Sequence, residues 1–340
     1  MRSLKPWAAL MPALVLAAAT GCGAPADAGS NPADDAAEPI TVDSCGREVV
    51  FDAPPEQVLA IGSEAPALLV AAGAGDKVTH YAGSLEVPFD AETQAVVEGA
   101  ERVTEDSHDV SSEMILSSGV DVVIGTDIGA GVDIDTLATR LDEAGIQLLT
   151  VSGYCAGIEG RSTDGVSGFD LIYRDVETYG EIFGTEQVAT GAIEDMQDRV
   201  TAAAAELADE VSDRSAAPLY VPAGGTLGSY GGQSLVSEQM TLLGLENVFA
   251  DVPKRYFEPS TEELVSSDPD LIFAMYLPTG SSTLESDEDV VNELRDRPEL
   301  EGLTAVDDDA AVVPLNYFYT SPGPLAIDGL ELIAERLANS

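Results

Sequence analysis

The chain has 340 residues and a formal net charge of −46 at pH 7, from 15 Lys and Arg against 61 Asp and Glu. Hydrophobic residues make up 45% of it, too large a share for an acidic disordered tail and enough for one large domain or two lobes. A chain with this much negative charge repels the phosphate backbone of nucleic acids and the head groups of anionic lipids. Nucleic-acid binding is therefore excluded, and attachment to a membrane would require a specific anchor.

The first residues have the features of an export signal. Arg2 and Lys5 precede an uncharged stretch, residues 6–19. This stretch is too short to span a bilayer, which takes about 20 residues, but it suits the apolar core of a signal peptide. We therefore predict that residues 1–21 are a lipoprotein signal peptide and that the chain is exported.

A lipid anchor is predicted where the signal ends. Ala19-Thr20-Gly21-Cys22 resembles a bacterial lipobox, although Ala19 stands where Leu is more usual. Cys22 would then be lipidated and hold the protein on the outer face of the cell membrane by this lipid alone. A plain secretory signal with an incidental cysteine is the alternative. Residues 22–40, rich in Ala, Gly, Pro and Asp, predict a flexible tether.

Two further cysteines, Cys45 and Cys155, remain in the exported part of the chain. An even pair in an oxidising compartment predicts a disulfide. A catalytic thiol would need a basic neighbourhood that lowers its pKa, and neither cysteine has one.

An internal repeat indicates two lobes. Residues 112–124 and 261–273 share the pattern E-x-x-[LV]-S-S-x-[VP]-D-[LV]-[IV]-[IF]. Each copy predicts a short helix, with a hydroxyl residue near its start and Glu in its first turn, followed by a buried strand. We therefore predict an N-terminal lobe, 41–166, and a C-terminal lobe, 214–340, of similar α/β build.

The segment between the lobes has helical periodicity. Its apolar positions are Phe169, Ile172, Val176, Tyr179, Ile182 and Phe183, then Ile193, Met196 and Val200. This spacing predicts one long helix over 167–213, irregular at its glycines, that joins the lobes and keeps their closure modest.

Three segments carry a family resemblance: 42–58, with VDSCGREVVF and PPEQV; Ala305-Val306; and 322–331, with PGP and DGLE. With the repeat, they resemble bacterial iron-siderophore and cobalamin substrate-binding proteins, the extracytoplasmic receptors of ABC importers. The resemblance implies an α/β fold of two Rossmann-like three-layer α/β/α lobes, joined by one long α-helix, with a ligand cleft between the lobes. It also implies a monomer without a cofactor, whose partners are an ABC permease dimer and its cytoplasmic ATPase.

The resemblance gives the two repeat helices a role in docking. In the family, one carboxylate on each lobe forms a salt bridge to an arginine of the permease. The matching positions are Glu113 and Glu262, which the repeat also singles out. The alternative is that both serve only as favourable charges at a helix N-terminus.

Ligand contacts are expected where strands end, because α/β lobes bind ligands at the carboxyl ends of their strands. Tyrosine suits a large, partly apolar chelate, since it offers a flat face and a hydroxyl. The ligand implied is an Fe(III)-siderophore complex, with cobalamin or haem as alternatives. The candidate contact residues are Ser63, Tyr81, Thr126, Tyr154, Tyr230, Arg255, Tyr256, Tyr276 and Tyr317.

A bare metal ion is a poor fit for this composition. The chain has only two histidines, His80 and His108, both in predicted loops of the first lobe, whereas Zn or Mn receptors need several imidazoles. Basic side chains are also few. The composition therefore favours a neutral or cationic ferric chelate, such as a hydroxamate, although two well-placed arginines would suffice for an anion. The loop cations available are Arg102, Arg161, Lys254 and Arg255.

An exported hydrolase is the rival class of function. The sequence has no G-x-S-x-G, H-E-x-x-H or P-loop motif, and two histidines leave little material for acid–base catalysis. We therefore expect a binding protein rather than an enzyme. A lipoprotein scaffold is a third class, but it would not need matching glutamate-bearing helices in both lobes.

Overall fold

A computed structural model of the chain describes residues 38–125, 133–158, 161, 166–207, 214–278, 284–308 and 310–339. The predicted signal peptide, the lipidation site Cys22, most of the tether and the candidate residue Thr126 lie outside these residues. Within the described ranges, every helix is too short or too polar to cross a bilayer.

The first lobe contains a hairpin and a five-stranded parallel sheet. The antiparallel hairpin consists of β1 (Ile40–Ser44) and β2 (Arg47–Phe51). The sheet has the order β5-β4-β3-β6-β7. Its strands are β3 (Val58–Ile61), β4 (Val78–Ala82), β5 (Glu101–Thr104), β6 (Val122–Gly125) and β7 (Gln147–Thr150). Its helices are α1 (Glu64–Ala71), α2 (Ala91–Gly99), α3 (Ser112–Ser118) and α4 (Ile134–Asp142).

The second lobe is built around a mixed sheet. The order is β11-β9-β8-β12-β13, with β10 paired to β8, and only β9 pairs antiparallel with its neighbours. The strands are β8 (Ser215–Tyr220), β9 (Gly228–Tyr230), β10 (Glu246–Asn247), β11 (Tyr256–Phe257), β12 (Leu271–Tyr276) and β13 (Val312–Asn316). The helices are α7 (Leu235–Leu242), α8 (Thr261–Ser267), α9 (Asp287–Arg295), α10 (Thr304–Asp307) and α11 (Leu325–Ala338).

The two copies of the repeat have the same local structure. The Ser111 side chain caps α3, and Ser260 with Glu263 forms a capping box on α8. Both helices end in a left-handed residue, Gly119 at φ 74° and Asp268 at φ 39°. Each then leads into an inner strand, β6 or β12, that is buried along its whole length. Strands buried on both faces are typical of parallel sheets covered by helices, as the α/β prediction requires.

The segment predicted as one linking helix contains two helices, α5 (Gly168–Phe183) and α6 (Glu186–Leu207). The break lies at Gly184, which adopts φ 69° and closes the end of α5 by donating to Glu181 O. The Thr185 hydroxyl then donates to Ala72 O over 2.6 Å, which fixes the turn against α1. The linking helix is therefore shorter than the predicted 167–213, because the left-handed glycine ends α5 and a new helix begins at Glu186.

Each of the two helices packs mainly against a different lobe, although the start of α5 also contacts α7. The apolar face of α5 lies on α1, β1 and the 3-10 helix Ser152–Gly157. Helix α6 lies along α11, where Arg199 forms ion pairs with Asp328 at 2.5 Å and Glu331 at 2.6 Å. The covalent connection between the lobes is therefore made by α6, while α5 belongs to the first lobe.

The predicted disulfide forms in the structure, with Cys45 and Cys155 bonded across a separation of 110 residues. Cys45 lies in the turn between β1 and β2, and Cys155 lies in the 3-10 helix Ser152–Gly157. The bond therefore ties the N-terminal hairpin to a loop that follows the last strand of the first sheet.

One acidic side chain of α5 is enclosed by the first lobe. Asp175 is only 4% exposed, and burial raises the pKa of its carboxyl group to about 7, against hydrogen bonds from Ser152 that lower it. Between about pH 4 and pH 7 the folded protein therefore holds a proton that the unfolded chain has released. Across that window, stability falls as the pH rises.

We expect Asp175→Asn to remove this component of the pH dependence. From about pH 4 to pH 8, the wild type should lose on the order of 4 kcal/mol of unfolding free energy relative to the variant, which has no carboxyl group at this position to ionise. Urea unfolding at several pH values measures it. Glu177→Gln, at an exposed position of the same helix, is the control. Parallel pH profiles for wild type and Asp175→Asn would contradict the assignment.

Candidate ligand-binding cleft

A cleft of about 850 Å³ lies between the lobes, and its wall follows the carboxyl ends of parallel strands in both sheets. The first lobe contributes the loops after β3, β4, β5 and β7. The second lobe contributes the segment before β11 and the residues after β12 and β13. The lining residues are Gly62, Ser63, Glu64, Gly83, Ser84, Leu85, Glu86, Val87, Arg102, Glu105, Asp106, Ser107, His108, Tyr154, Arg255, Leu277, Tyr317 and Phe318.

The two lobes meet in the cleft through Tyr154 and Arg255. The Tyr154 hydroxyl donates to Glu64 Oε1 over 2.9 Å, and Glu64 itself is only 4% exposed. From the other lobe, the guanidinium of Arg255 lies 5.1 Å from the centroid of the Tyr154 ring. Burial and the nearby carboxylate hold the pKa of Tyr154 well above its ordinary value, so its hydroxyl remains a hydrogen-bond donor.

Aromatic side chains surround Arg255 on the second lobe. Arg255 also lies beside Tyr317, whose ring meets Tyr220 edge-on at 6.0 Å. Behind Arg255, the rings of Tyr230 and Tyr256 meet edge-on at 5.4 Å. This packing holds a permanently charged group in a defined position at the cleft wall.

A similar arginine–tyrosine pair forms part of the first lobe's wall. The guanidinium of Arg102 lies 5.4 Å from the centroid of the Tyr81 ring, and its Nε donates to Thr104 O. Tyr81 is fully buried, and its hydroxyl donates to Ser84 O over 2.8 Å. Tyr81 therefore supports Arg102 and the loop Gly83–Val87 from below.

The charges on the cleft wall are mixed. In the described part of the wall, Arg102 and Arg255 stand against four carboxylates, Glu64, Glu86, Glu105 and Asp106. Three of these carboxylates are exposed, whereas Glu64 is buried. The wall therefore carries a net negative charge together with two fixed guanidinium groups, one from each lobe.

The predicted contact residues fall into two groups. Ser63, Tyr154, Arg255 and Tyr317 line the cleft together. Tyr81 and Tyr230 are buried instead, and Tyr256 is 40% exposed beside Tyr230. Tyr276 is buried as well, and its hydroxyl donates to Asp287. A tyrosine at the end of a strand lies near the edge of the cleft, but the orientation of its side chain decides whether it reaches the cavity.

Two loops of the wall contain none of the predicted contact residues, Gly83–Val87 after β4 and Glu105–His108 after β5, although His108 was expected in a loop. Neither loop contains a tyrosine, and most of the candidate contact residues are tyrosines. Strand β5 is also only partly buried, so it has no continuous apolar run that would mark its end. The strand-end rule, applied to every strand, would have found the loop after β4.

The two histidines differ in their surroundings. His80 was expected in a loop, but it lies in β4, is 9% exposed and faces Glu101 at 3.6 Å. His108 lies in a 3-10 helix at the cleft wall and pairs with Asp106 at 2.9 Å. Across the described residues, no group of three or more His, Cys, Asp or Glu is placed to hold a metal ion.

The two predicted docking carboxylates occupy equivalent positions in the first turns of α3 and α8, and both are exposed. Glu113 forms an ion pair with Arg140 at 3.3 Å. A hydrogen bond from its own backbone N–H and the contact with Arg140 lower its pKa. In the described part of the chain, no basic side chain pairs with Glu262.

Comparison with known proteins gives the same fold. A Saccharomonospora viridis protein, described as an ABC-type Fe³⁺-hydroxamate transport system, is 30% identical, with 88% of this chain and 99% of that chain covered and a TM-score of 0.75. The triscatecholate siderophore-binding protein of Bacillus subtilis, solved with ferri-bacillibactin, is 17% identical. The match covers 88% of this chain and 99% of that chain, with a TM-score of 0.67.

Sequence comparison adds two findings. An uncharacterized ABC transporter substrate-binding lipoprotein of Bacillus subtilis is 24% identical over 271 residues, 78% of each chain. The model of the periplasmic binding protein family matches residues 130–310, more than half of the chain. Together with the two-lobe fold and its cleft, these matches show that the chain belongs to the periplasmic binding protein family, as a substrate-binding protein of the iron-siderophore and cobalamin type of ABC importer.

Proposed function

We propose that this protein is a lipid-anchored receptor that captures a ferric hydroxamate siderophore and delivers it to an ABC permease. The observation that carries the ligand class is the cleft wall, with aromatic faces from Tyr154, Tyr317 and Phe318 and a net negative charge. An Fe(III) trihydroxamate is neutral at its metal centre, because three singly charged hydroxamates balance the ion. It therefore avoids the repulsion that a multiply anionic chelate would meet.

The aromatic faces and the guanidinium groups have separate tasks in this proposal. Rings of Tyr154 and Tyr317 pack against the apolar backbone of the chelate, and each ring presents an edge or face without a charge. Arg102 and Arg255 donate hydrogen bonds to its hydroxamate and amide oxygens, which are strong acceptors. The hydroxamate assignment of the Saccharomonospora viridis relative is in line with this ligand class.

The remaining parts of the proposal concern delivery. Cys22 carries the lipid on the outer face of the membrane, residues 22–40 act as the tether, and the receptor works as a monomer. Glu113 and Glu262 face two arginines of the permease dimer, and ATP hydrolysis in the cytoplasm opens the lobes. The separation of the two carboxylates onto equivalent helices of the two lobes supports a partner with two similar halves.

A panel of chelates of different charge tests the ligand class. We expect ferrioxamine B, which has one positive charge, and neutral ferrichrome to bind at least about tenfold more tightly than the anionic ferric triscatecholate of enterobactin or ferric citrate. Tyrosine fluorescence reports binding in the exported protein, since the chain's one tryptophan, Trp7, lies in the predicted signal peptide. Preference for a catecholate, haem or cobalamin would overturn the hydroxamate assignment.

A further inference from the structure

The 3-10 helix Ser152–Gly157, which carries Tyr154 into the cleft, is held by three neighbours. The disulfide joins its Cys155 to the turn of the first hairpin. The Tyr154 hydroxyl bonds to Glu64 on α1. The third neighbour is Asp175 of α5, whose carboxylate bonds to Ser152, the first residue of the 3-10 helix.

Asp175 uses both of its oxygens for this contact. Oδ2 accepts from the backbone N–H of Ser152 over 2.9 Å, and Oδ1 accepts from the Ser152 hydroxyl over 2.6 Å. The carboxyl group is buried, and its ionised form is costly there, as the raised pKa shows. An amide side chain of the same shape would still accept a hydrogen bond from Ser152 without burying a charge. The two hydrogen bonds tie α5 directly to the start of the 3-10 helix.

The opposite side of the 3-10 helix touches the second lobe. Gly153 packs against Pro322 so closely that a Cβ atom at position 153 would lie 2.2 Å from Pro322 Cβ. The Arg255 guanidinium lies over the next residue, Tyr154. With no free space at this contact, even a small displacement of the 3-10 helix changes how Tyr154 meets Glu64 and Arg255.

We propose that Asp175 is a positioning residue for the ligand cleft, acting through Ser152 to fix the 3-10 helix that presents Tyr154 to Glu64 and Arg255. The inference rests on the proposed function, because it takes Tyr154 to be a ligand contact. Asp175 itself does not line the cleft. Its effect on the ligand must therefore pass through Tyr154.

A binding experiment separates this role from a general structural one. Asp175→Ala should weaken ferrioxamine B binding roughly three- to tenfold, while Glu177→Ala on the same helix leaves it unchanged. In a Tyr154→Ala background, Asp175→Ala should cause no further weakening. Asp175→Asn should recover part of the affinity, because its amide oxygen still accepts one bond from Ser152. Equal weakening in both backgrounds would overturn the inference.

A spectroscopic measurement on the ligand-free protein tests the positioning role without relying on ferrioxamine B binding. The chain has 10 tyrosines, so ¹⁹F NMR of 3-fluorotyrosine-labelled protein is tractable, and loss of one signal in Tyr154→Phe assigns Tyr154. Asp175→Ala should shift or broaden that signal, and Glu177→Ala should not. Ser152→Ala, which removes only the hydroxyl donor, should give a smaller change and replaces Asp175→Ala if that variant does not fold.

The two measurements fail in distinguishable ways. An unchanged Tyr154 signal in both Asp175→Ala and Ser152→Ala overturns the positioning role, whatever the measured affinity for ferrioxamine B. Full ferrioxamine B affinity in Tyr154→Ala counts against the proposed ligand site and therefore against a role for Asp175 in binding. A changed signal together with the background-dependent loss of affinity supports both.

Discussion

Replacing both Cys45 and Cys155 by serine should lower the free energy of unfolding by about 4 to 5 kcal/mol, the loop-closure entropy of a crosslink that spans 110 residues. The loss is large because the closed loop contains the whole first sheet, so the bond restricts most of the unfolded first lobe. Urea unfolding of the exported protein, oxidised and with both serines, measures the difference.

The same variant tests where the disulfide acts. Wild-type protein treated with a reductant should match the double serine variant, because both lack only the crosslink. A difference in unfolding free energy below about 1 kcal/mol would contradict the expectation and would indicate that the unfolded first lobe is already compact. The affinity for ferrioxamine B should also fall in the variant, since Cys155 lies beside Tyr154 in the 3-10 helix.

Reversing both proposed docking charges, Glu113→Arg with Glu262→Arg, should reduce uptake of the ligand by cells at least about tenfold while its affinity for the purified receptor stays unchanged. Two arginines would then face the arginines proposed on the permease, and like charges in contact cost several kcal/mol. Helices α3 and α8 lie outside the cleft wall, so the cavity is not altered. Radioactive iron uptake and tyrosine fluorescence titration measure the two quantities.

The matched control changes the same net charge elsewhere. Glu177→Arg with Glu194→Arg places two arginines at exposed positions of α5 and α6. Uptake by this control should be close to that of the wild type. Equal loss of uptake in both double variants would show an effect of net charge alone, and normal uptake in Glu113→Arg/Glu262→Arg would rule out docking through these helices.

Those parts of the fold that have a local signal were predictable from the sequence. The helix–strand pairs α3–β6 and α8–β12 follow from a capping residue, a first-turn glutamate and a fully buried apolar run. The break at Gly184 was not predictable in the same way. Apolar spacing continues on both sides of it, and a glycine inside a helix costs only about 1 kcal/mol. Its left-handed conformation closes α5 through the bond from Thr185 N to Gly180 O, and the Thr185 hydroxyl adds a tertiary contact to Ala72.

The sequence predicted that the site lies at the ends of strands, but it did not predict which side chains point into the cleft. Tyr154 and Tyr81 both follow or end strands of the first sheet, and both are tyrosines. The sequence does not distinguish them, because only the sheet geometry turns Tyr81 into the core and leaves Tyr154 at the wall. The supporting contact of Asp175 with Ser152 is likewise a long-range contact with no local pattern.

We propose that the ferric chelate binds in the cleft lined by Tyr154, Arg102 and Arg255, and the position of the iron tests this most directly. Crystals of the exported protein grown with ferrioxamine B, measured at the iron absorption edge, give an anomalous map that locates the metal. We predict one strong iron peak inside the cleft, between the wall of Tyr154 and Arg102 and that of Arg255 and Tyr317. An iron peak elsewhere on the protein, or a cleft without one, would contradict the account.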